Sequence, residues 1–418
     1  MDSARADILA AQSHLQAHGW IGRRNESFRH LPPPDLPQWQ GDAAAPDAAC
    51  GAPPLDGTGW TLHPIGQTPA SGVDARWLDA LEPAQRAELF AGLPPPGEGG
   101  DAAPFAWAHR ALCRQGLRLR INGTPGKAPG EQDTVWLQLR HQPRTQAEAP
   151  LLVLEVGEGV RCMLIESHEH DAAVCSQGLA QNLHAHIHLA RGARLQHLRI
   201  AAPGPQDRTA HFVHATLAAD AHYAQALVAT GGNYHLQRCV VQLQGAGAEA
   251  HHAGLLLAGS QTIDHQIVSR LDAARTTSQV EALALASGSA RAVANAYTRI
   301  AAGSDDAAVR QRLSGIALDG QPRMVLRPHL EILHDQVQAV HGATWGALPA
   351  DALFYARQRG LDEASARALI IDGMARAVLE RCLIDADGAS LLAQWLDGGW
   401  LHQAIARHLT ATEESVHG

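Results

Sequence analysis

A repeated unit, two short strands joined by a corner of small residues, dominates the middle of the chain. Four leucines mark such units, Leu189, Leu217, Leu243 and Leu285, at intervals of 28, 26 and 42 residues. These intervals lie near multiples of about 14, the size of one strand plus a tight corner. Each unit exposes an apolar face that the next unit can cover, so the pattern predicts a β-solenoid. A β-sandwich or barrel also gives short strands at this spacing, and periodicity alone leaves that alternative open.

Changes in composition divide the chain into three regions. Residues 1–116 form a helical and irregular N-terminal region, in which proline runs at 32–34 and 94–96 forbid long helices. Residues 117–346 contain the short, strand-like apolar runs and Gly/Ala corners of a β core. Residues 347–418 regain helical periodicity and are expected to form a C-terminal helical domain.

Helical periodicity is confined to the two outer regions. In the first region it predicts helices at 4–18, 77–92 and 105–116, and in the last at 351–358, 362–382 and 389–409. Asp362 is expected to cap its helix by accepting a hydrogen bond from the backbone N–H of Ser365 or its neighbour.

Charge and cysteine content exclude several classes of protein. The net charge of −9 argues against a nucleic-acid partner, because phosphate binding needs a basic surface. The six cysteines contain no CxxC pair, which argues against a zinc ribbon or a disulfide-stapled secreted fold. The first residues carry charges where a signal peptide needs an apolar run, and no apolar stretch approaches about 18 residues. We therefore expect a cytoplasmic protein without a membrane span.

The segment from 328 to 360 resembles the signature of a known family. It contains PHLEI at 328–332, HGATW at 341–345, and LFY at 353–355 followed by RQRG at 357–360. Earlier segments match in the same order, with NESFR at 25–29 and GLRLR at 116–120. Together these are similar to the SufB/SufD family of iron–sulfur cluster assembly proteins, and to its SufD-like branch in particular.

The resemblance implies a mainly β fold, a right-handed parallel β-helix core flanked by N- and C-terminal helical regions. It also implies a non-enzymatic scaffold subunit of a SufBCD-type complex. Such a subunit pairs through its β-helix with a SufB-like subunit and docks a SufC-like ABC ATPase through its C-terminal helices. No catalytic residue and no tightly bound cofactor are expected, although an iron–sulfur cluster would form transiently at the partner interface. Alone, the chain is expected to dimerise through the β-helix edge, because an open edge favours strand pairing.

Two positions depart from the cysteine pattern of the family. Ala339 stands two residues before His341, where many members have Cys, and residues 276–278 read Thr-Thr-Ser in place of Cys-Thr-Ser. Both changes remove thiolates, which are natural ligands of iron. His341 remains the candidate at the cluster-assembly interface, because imidazole ligates iron beside thiolates in Rieske-type sites. A corner imidazole bonded to the backbone is the alternative interpretation.

The matched helix end supplies the candidates for ATPase docking. Leu353, Phe354 and Tyr355, together with Arg359, are expected to be exposed, because aromatic and Arg side chains dominate interface hot spots.

A row of histidines supports an alternative function. His184, His186 and His188 alternate with apolar residues, and His-x-His is a common spacing of metal ligands. Further ligands would come from a second set of histidines, namely His168, His170, His211 and His214. These residues would make the chain a His-rich β-solenoid or cupin-like metal-binding enzyme. A solvent-facing row on an amphipathic strand explains the same pattern without a metal, and we favour that interpretation.

Overall fold

The core of the computed structural model is a parallel β-solenoid with helices at both ends of the chain. The structure describes residues 2–40, 60–65, 72–123, 134–143, 145–169, 178–383, 399, 401–403 and 405. The predicted solenoid is therefore confirmed, and the sandwich or barrel alternative is wrong. The helix predicted at 389–409 lies largely outside the described residues.

Helices precede and follow the strands. In the described ranges they are α1 (Ser3–His18), α2 (Pro37–Gln40), α3 (Pro83–Leu89), α4 (Ala103–Leu112), α5 (Ala350–Gln358) and α6 (Glu363–Leu383), with a 3₁₀ segment at Pro96–Ala102. Asp362 caps α6 as predicted, because its Oδ1 accepts a hydrogen bond from the backbone N of Ser365 at 2.7 Å.

The strands alternate between two sheets that enclose the core. They are β1 (Trp60–Pro64), β2 (Val73–Asp79), β3 (Gln115–Ile121), β4 (Val135–His141), β5 (Ala147–Glu148), β6 (Leu151–Val156), β7 (Arg161–Glu169), β8 (Ala180–Leu189), β9 (Arg194–Ala202), β10 (Arg208–Leu217), β11 (His222–Thr230), β12 (Tyr234–Leu243), β13 (Glu249–Ala258), β14 (Thr262–Leu271), β15 (Thr277–Ala286), β16 (Arg291–Ile300), β17 (Ala307–Ala317), β18 (Arg323–Ile332) and β19 (Val337–Gly346).

Each sheet grows by one parallel strand per coil. Sheet A has the order β1-β4-β7-β9-β11-β13-β15-β17-β19, and sheet B has the order β2-β3-β6-β8-β10-β12-β14-β16-β18 with β5 beside β8. At the N-terminal end, β1 and β2 pair antiparallel with β4 and β3, so they cover the first coil.

The repeated leucines stack in register along the solenoid. Leu189, Leu217, Leu243 and Leu271 pair in sequence on successive strands of sheet B, and all are at most 2% exposed. Leu285 lies on sheet A, where it pairs with Leu257. The 42-residue interval therefore spans one and a half coils, whereas the shorter intervals span one. Burial of each leucine contributes about 1.5–3 kcal/mol.

The corners are as tight as the small residues suggest. Gly247 has a φ of 73°, which glycine adopts without steric cost. At Gly245 an added Cβ would lie 2.0 Å from the backbone N of Ala219 in the preceding coil. The stacking distance of the coils therefore depends on the absence of a side chain there.

The helix predicted at 77–92 is partly wrong. Trp77 and Leu78 lie in β2, and the helix α3 begins at Pro83. Antiparallel pairing of Trp77 with Leu117 on β3 buries Leu78 to 4% exposure. This tertiary pairing outweighs the local helical periodicity.

Helix α6 covers part of the outer face of sheet A. Its residues Ile371, Ala375 and Leu379 are buried in one cluster with Leu255 and Leu283 of the sheet. Arg381 adds an ion pair with Glu281 of β15, with Nη2 2.5 Å from Oε1 and Nε 3.0 Å from Oε2. Among the described residues, no helix is long and apolar enough to cross a membrane.

Candidate functional site

The last coil of the solenoid presents two open strand edges. Strands β18 and β19 end their sheets, and within the described residues each pairs with a strand on one side alone. Four large apolar side chains of this coil are exposed, namely Ile332, Leu333, Val340 and Trp345, the last to 76%. An open edge flanked by exposed apolar side chains is a surface on which another chain can pair.

His341 lies on β19 at the mouth of the solenoid. It is exposed, and it pairs in register with Gln311 of β17, which is 2% exposed. The same register row continues into the core of sheet A through Val280, His252, Gln225 and His197. The row faces the interior, because Nε2 of His252 lies 2.9 Å from Nε2 of His265 on sheet B. His341 is therefore the exposed end of a largely polar row along the axis.

A buried charged cluster lies at the other end of that row. Nε2 of His168 lies 2.5 Å from Oε1 of Glu166, and Nε2 of His197 lies 2.8 Å from Oε2. Arg199 places Nε 3.5 Å from Oε2 of Glu166 and Nη2 2.5 Å from Nδ1 of His211. Sequence reasoning missed this cluster, although Glu166 and His168 are two residues apart on one strand and therefore share a face.

Electrostatics keep Glu166 charged in the core. Burial raises the pKa of this carboxyl, but His168, His197 and Arg199 outweigh burial and hold the pKa well below its ordinary value. Burial lowers the pKa of His168 to about 4 despite the carboxylate beside it. Near neutral pH the cluster is thus a Glu166–Arg199 ion pair surrounded by neutral imidazoles.

Two sets of donor atoms converge closely enough to hold a metal ion. In the part of the chain that the structure describes, these are Glu166, His168 and His211 in the core and His222, Glu249 and His251 near the surface, each with donor atoms within 4.8 Å of one another. Two His and one carboxylate suit non-haem iron. In the buried set, however, Arg199 already neutralises Glu166, so a divalent cation would first have to displace the guanidinium.

The predicted histidine row lies on the outer face of sheet B. Our preferred interpretation as a solvent-facing row is wrong for His184, which is 4% exposed and lies between His109 of α4 and Phe212 of β10. The row is not one of the convergent donor sets in the described residues. Of the proposed further ligands, His214 stacks on His186 at 5.0 Å. His168 and His211 point into the core, and His170 lies outside the described residues.

The ATPase-docking candidates divide into exposed and packed residues. Phe354 and Tyr355 are 65% and 61% exposed, and the guanidinium carbon of Arg359 lies 4.7 Å from the centre of the Tyr355 ring. Leu353 is half-buried and packs against the cluster beneath α6, so its predicted exposure is wrong. Its side chain packs in the apolar cluster that α6 shares with sheet A, which holds α5 beside α6.

Within the described residues the solenoid is open at its last coil, and helices α5 and α6 follow that coil. The chain belongs to the SufBD family, since residues 139–374 match its model, described as SUF system FeS cluster assembly, SufBD core domain. The match covers more than half of the chain.

Individual relatives are more distant. The chain is 41% identical over 66 residues to an iron–sulfur cluster assembly SufBD family protein of Synechocystis sp., an alignment that covers 16% of this chain and 15% of that protein. It is 27% identical over 165 residues to the chloroplastic protein ABCI7 of Arabidopsis thaliana (39% and 35%). It is 24% identical over 230 residues to the iron–sulfur cluster assembly protein SufD of Escherichia coli (54% and 53%). The chain thus spans about half or less of the length of the curated relatives it matches.

Proposed function

We propose that this chain is a non-enzymatic scaffold subunit of a SufBCD-type iron–sulfur cluster assembly complex. In this proposal the last coil pairs with a SufB-like subunit, and the C-terminal helices dock a SufC-like ABC ATPase. Family membership and the likeness to a protein named SufD support the proposal. The main structural support for the proposal is the pair of open strand edges at β18 and β19.

The open edges fit a β-solenoid partner. Two strand edges of one coil expose backbone N–H and C=O groups along about ten residues each. A second solenoid that paired there would satisfy these groups and cover Val340 and Trp345. The N-terminal end is less suited to this role, because the antiparallel strands β1 and β2 already cover it. The same edges would support a homodimer when the partner is missing.

His341 would lie at this junction. Its exposure at the mouth of the solenoid makes its imidazole available to a nascent cluster as substrate, whereas the described cysteines are buried. Because Ala339 replaces the family cysteine, the thiolates would come from the partner.

The exposed face of α5 would dock the ATPase. Phe354 and Tyr355 are exposed on α5, and Leu353 of the same helix packs in the cluster beneath α6, so the two rings form an aromatic patch on an anchored helix. Rigid aromatic side chains contribute strongly to binding because they lose little conformational entropy.

Co-purification with SufB-like and SufC-like subunits tests both surfaces. Val340→Lys with Trp345→Lys should abolish retention of the SufB-like subunit and leave ATPase retention intact. Phe354→Ala with Tyr355→Ala should have the opposite effect. Leu9→Lys, at an apolar residue of α1 that is 39% exposed, is the matched control and should retain both partners. Failure of the wild-type chain to retain either partner, or retention of both by all variants, would refute the proposal.

A further inference from the structure

A groove on the outer face of sheet B carries excess positive charge. Its floor consists of side chains from β8, β10, β12 and β14, and its wall is formed by Phe90, Pro94–Pro96 and α4. The polar residues that line it are mainly cationic or imidazole groups: His109, Arg110, His184, His186, His188, His214, Arg238 and Arg270. Among the described lining residues none is Asp or Glu, although the chain as a whole has a net charge of −9.

The positive charge of the groove is neutralised only in part by nearby carboxylates. Arg110 pairs with Asp7 at 2.9 Å, but Arg270 makes no hydrogen bond or ion pair with any described residue. Arg238 donates to the neutral amide oxygen of Gln266. The nearest buried carboxyl, Asp264, has its pKa raised to about 7 by burial, so it is a weak counter-charge.

Two carboxylates lie beyond Arg238, of which Glu26 is ion-paired with Arg327, whereas Asp101 remains a counter-charge of Arg238. A neighbouring groove shares Arg238 and Arg270 and includes Glu26 and Asp101. Oε1 of Glu26 accepts from Arg327 at 2.7 Å, and Oδ2 of Asp101 accepts from Ser27 at 2.8 Å.

The strand register places Arg238 and Arg270 on the same face of sheet B, one strand and four residues apart, and both line the groove. Arg238 lies beside Phe212, whereas Arg270 lies beside Gln242 on the next strand, four residues further along. The small side chain of Val240 lies between them on β12, and His214 lies beside Val240 on β10. Burial, followed by the charges of Arg238 and Arg270, lowers the pKa of His214 to about 4, so both guanidiniums act on this imidazole.

The groove also presents unsatisfied polar atoms. Nε2 of His184 is buried and has no hydrogen-bond partner in the described part of the chain. The imidazoles of His186 and His214 stack 5.0 Å apart. A neutral imidazole offers one N–H, which an oxyanion can accept. An unpartnered buried polar atom is costly unless a ligand satisfies it.

We propose that this groove binds a small oxyanion of the phosphate class, held between Arg238 and Arg270 with imidazole donors from the histidine row. Guanidinium groups match the geometry of phosphate oxygens and donate two hydrogen bonds at once. The cavity volume is 140 Å³, about ten times the roughly 10–15 Å³ that a single water requires by this measure. That size accommodates one phosphate or diphosphate group. The histidine row then serves as a set of anion donors and not as metal ligands.

Calorimetric titration of the chain with small anions tests the site. Sodium phosphate, pyrophosphate, sulfate and ATP are titrated separately at pH 7.5, with sodium chloride at matched ionic strength as the non-specific competitor. We expect saturable binding of phosphate and pyrophosphate that persists in the competitor. Pyrophosphate binding at least about tenfold tighter than phosphate would identify a diphosphate-bearing ligand, and equal affinities would identify a single phosphate group. ATP no tighter than pyrophosphate would show that the base adds nothing to binding.

Single substitutions locate the binding. Arg270→Gln should weaken binding at least tenfold, and Arg238→Gln should do the same. Arg291→Gln, at an exposed arginine of β16 outside the groove, is the control and should change affinity less than twofold. Because Arg270 is half-exposed, its variant should fold, which melting temperature and circular dichroism verify. Binding that chloride abolishes, or that Arg270→Gln and Arg291→Gln affect equally, would overturn the assignment.

Discussion

Glu166 and Arg199 occupy paired positions on β7 and β9, and their charged groups meet inside the solenoid with Nε 3.5 Å from Oε2. Each residue is 1% exposed. Transfer of two such ions from water to the core costs several kcal/mol per ion, which their mutual attraction offsets only when both are present. The stability of the fold therefore depends on the presence of both Glu166 and Arg199.

Removal of one charge should destabilise the protein strongly. Glu166→Gln is expected to lower the free energy of unfolding by about 3–5 kcal/mol, because Arg199 remains buried without a counter-charge. Chemical denaturation followed by circular dichroism measures the change. Glu158→Gln, at an exposed turn, is the control and should change it by less than about 0.5 kcal/mol. The double variant Glu166→Gln/Arg199→Met should lose less stability than Glu166→Gln, and a larger loss would contradict this account.

Stability should fall as the solution is acidified from pH 7 to pH 5. Burial lowers the pKa to about 4 for His109, His168, His214, His222 and His235, and to about 3 for His265. In the unfolded chain these groups bind protons below about pH 6.5. Unfolding therefore takes up protons between about pH 6.5 and pH 4, and each histidine removes up to about 1.4 kcal/mol per pH unit. Denaturation curves at pH 7, 6 and 5 and constant ionic strength measure this. A stability that is independent of pH in this range would be incompatible with buried neutral histidines.

The described cysteines should be unreactive in the native protein. Burial raises the pKa of Cys113, Cys239 and Cys382 to about 12 and raises that of Cys162 as well. Since the thiolate is the reactive form, labelling by iodoacetamide at pH 8 should be at least about a hundredfold slower than in the denatured chain. Peptide mapping by mass spectrometry distinguishes the sites. Rapid labelling of Cys382 in the native state would show that α6 detaches from sheet A.

A methyl group at one corner should disturb the stacking of coils. Gly245→Ala is expected to destabilise the protein by about 1–3 kcal/mol or more, because the added Cβ meets the backbone of Ala219. Gly342→Ala is the control, since its Cβ would enter open space, and should change stability by less than about 0.5 kcal/mol. Thermal melts of the two variants and the wild type provide the comparison. Equal melting temperatures for the two variants would mean that the coils can separate without cost.

The solenoid was predictable because the residues that repeat along the sequence occupy equivalent core positions in successive coils. Leu189, Leu217 and Leu243 each fill the same position in successive coils, so their spacing reports the length of a coil directly. The strand at Val73–Asp79 was not predictable in the same way. This strand pairs with β3, which lies about 40 residues further along the chain. The sequence around residues 73–79 gives no sign of so distant a partner.

The faces of the strands explain why the buried cluster was missed. The sequence offers both His184 and His211 as ligands of one metal site, yet the two residues lie on opposite faces of sheet B. On β9 nearly every residue is buried, because Leu195 packs in the core while Leu198 and Ile200 pack in the apolar cluster on the outer face of sheet A. The alternation of apolar and polar residues along such a strand then no longer shows which side chains face the core and which face outward. Which polar residues meet depends on the register of several strands, which a single strand does not reveal.

The open last coil has a consequence for how the chain holds itself together. In a linear stack a coil is supported by its immediate neighbours, and among the residues that the structure describes the coil of β18 and β19 has one neighbour where an interior coil has two. Its amide protons should therefore exchange with solvent sooner than those of β11 or β12, producing a gradient of protection along the axis. A partner strand that pairs with this end supplies the missing neighbour. Binding of the partner and stabilisation of the last coil are therefore thermodynamically coupled. The strength of assembly can then be adjusted by substitutions deep in the stack that never touch the partner.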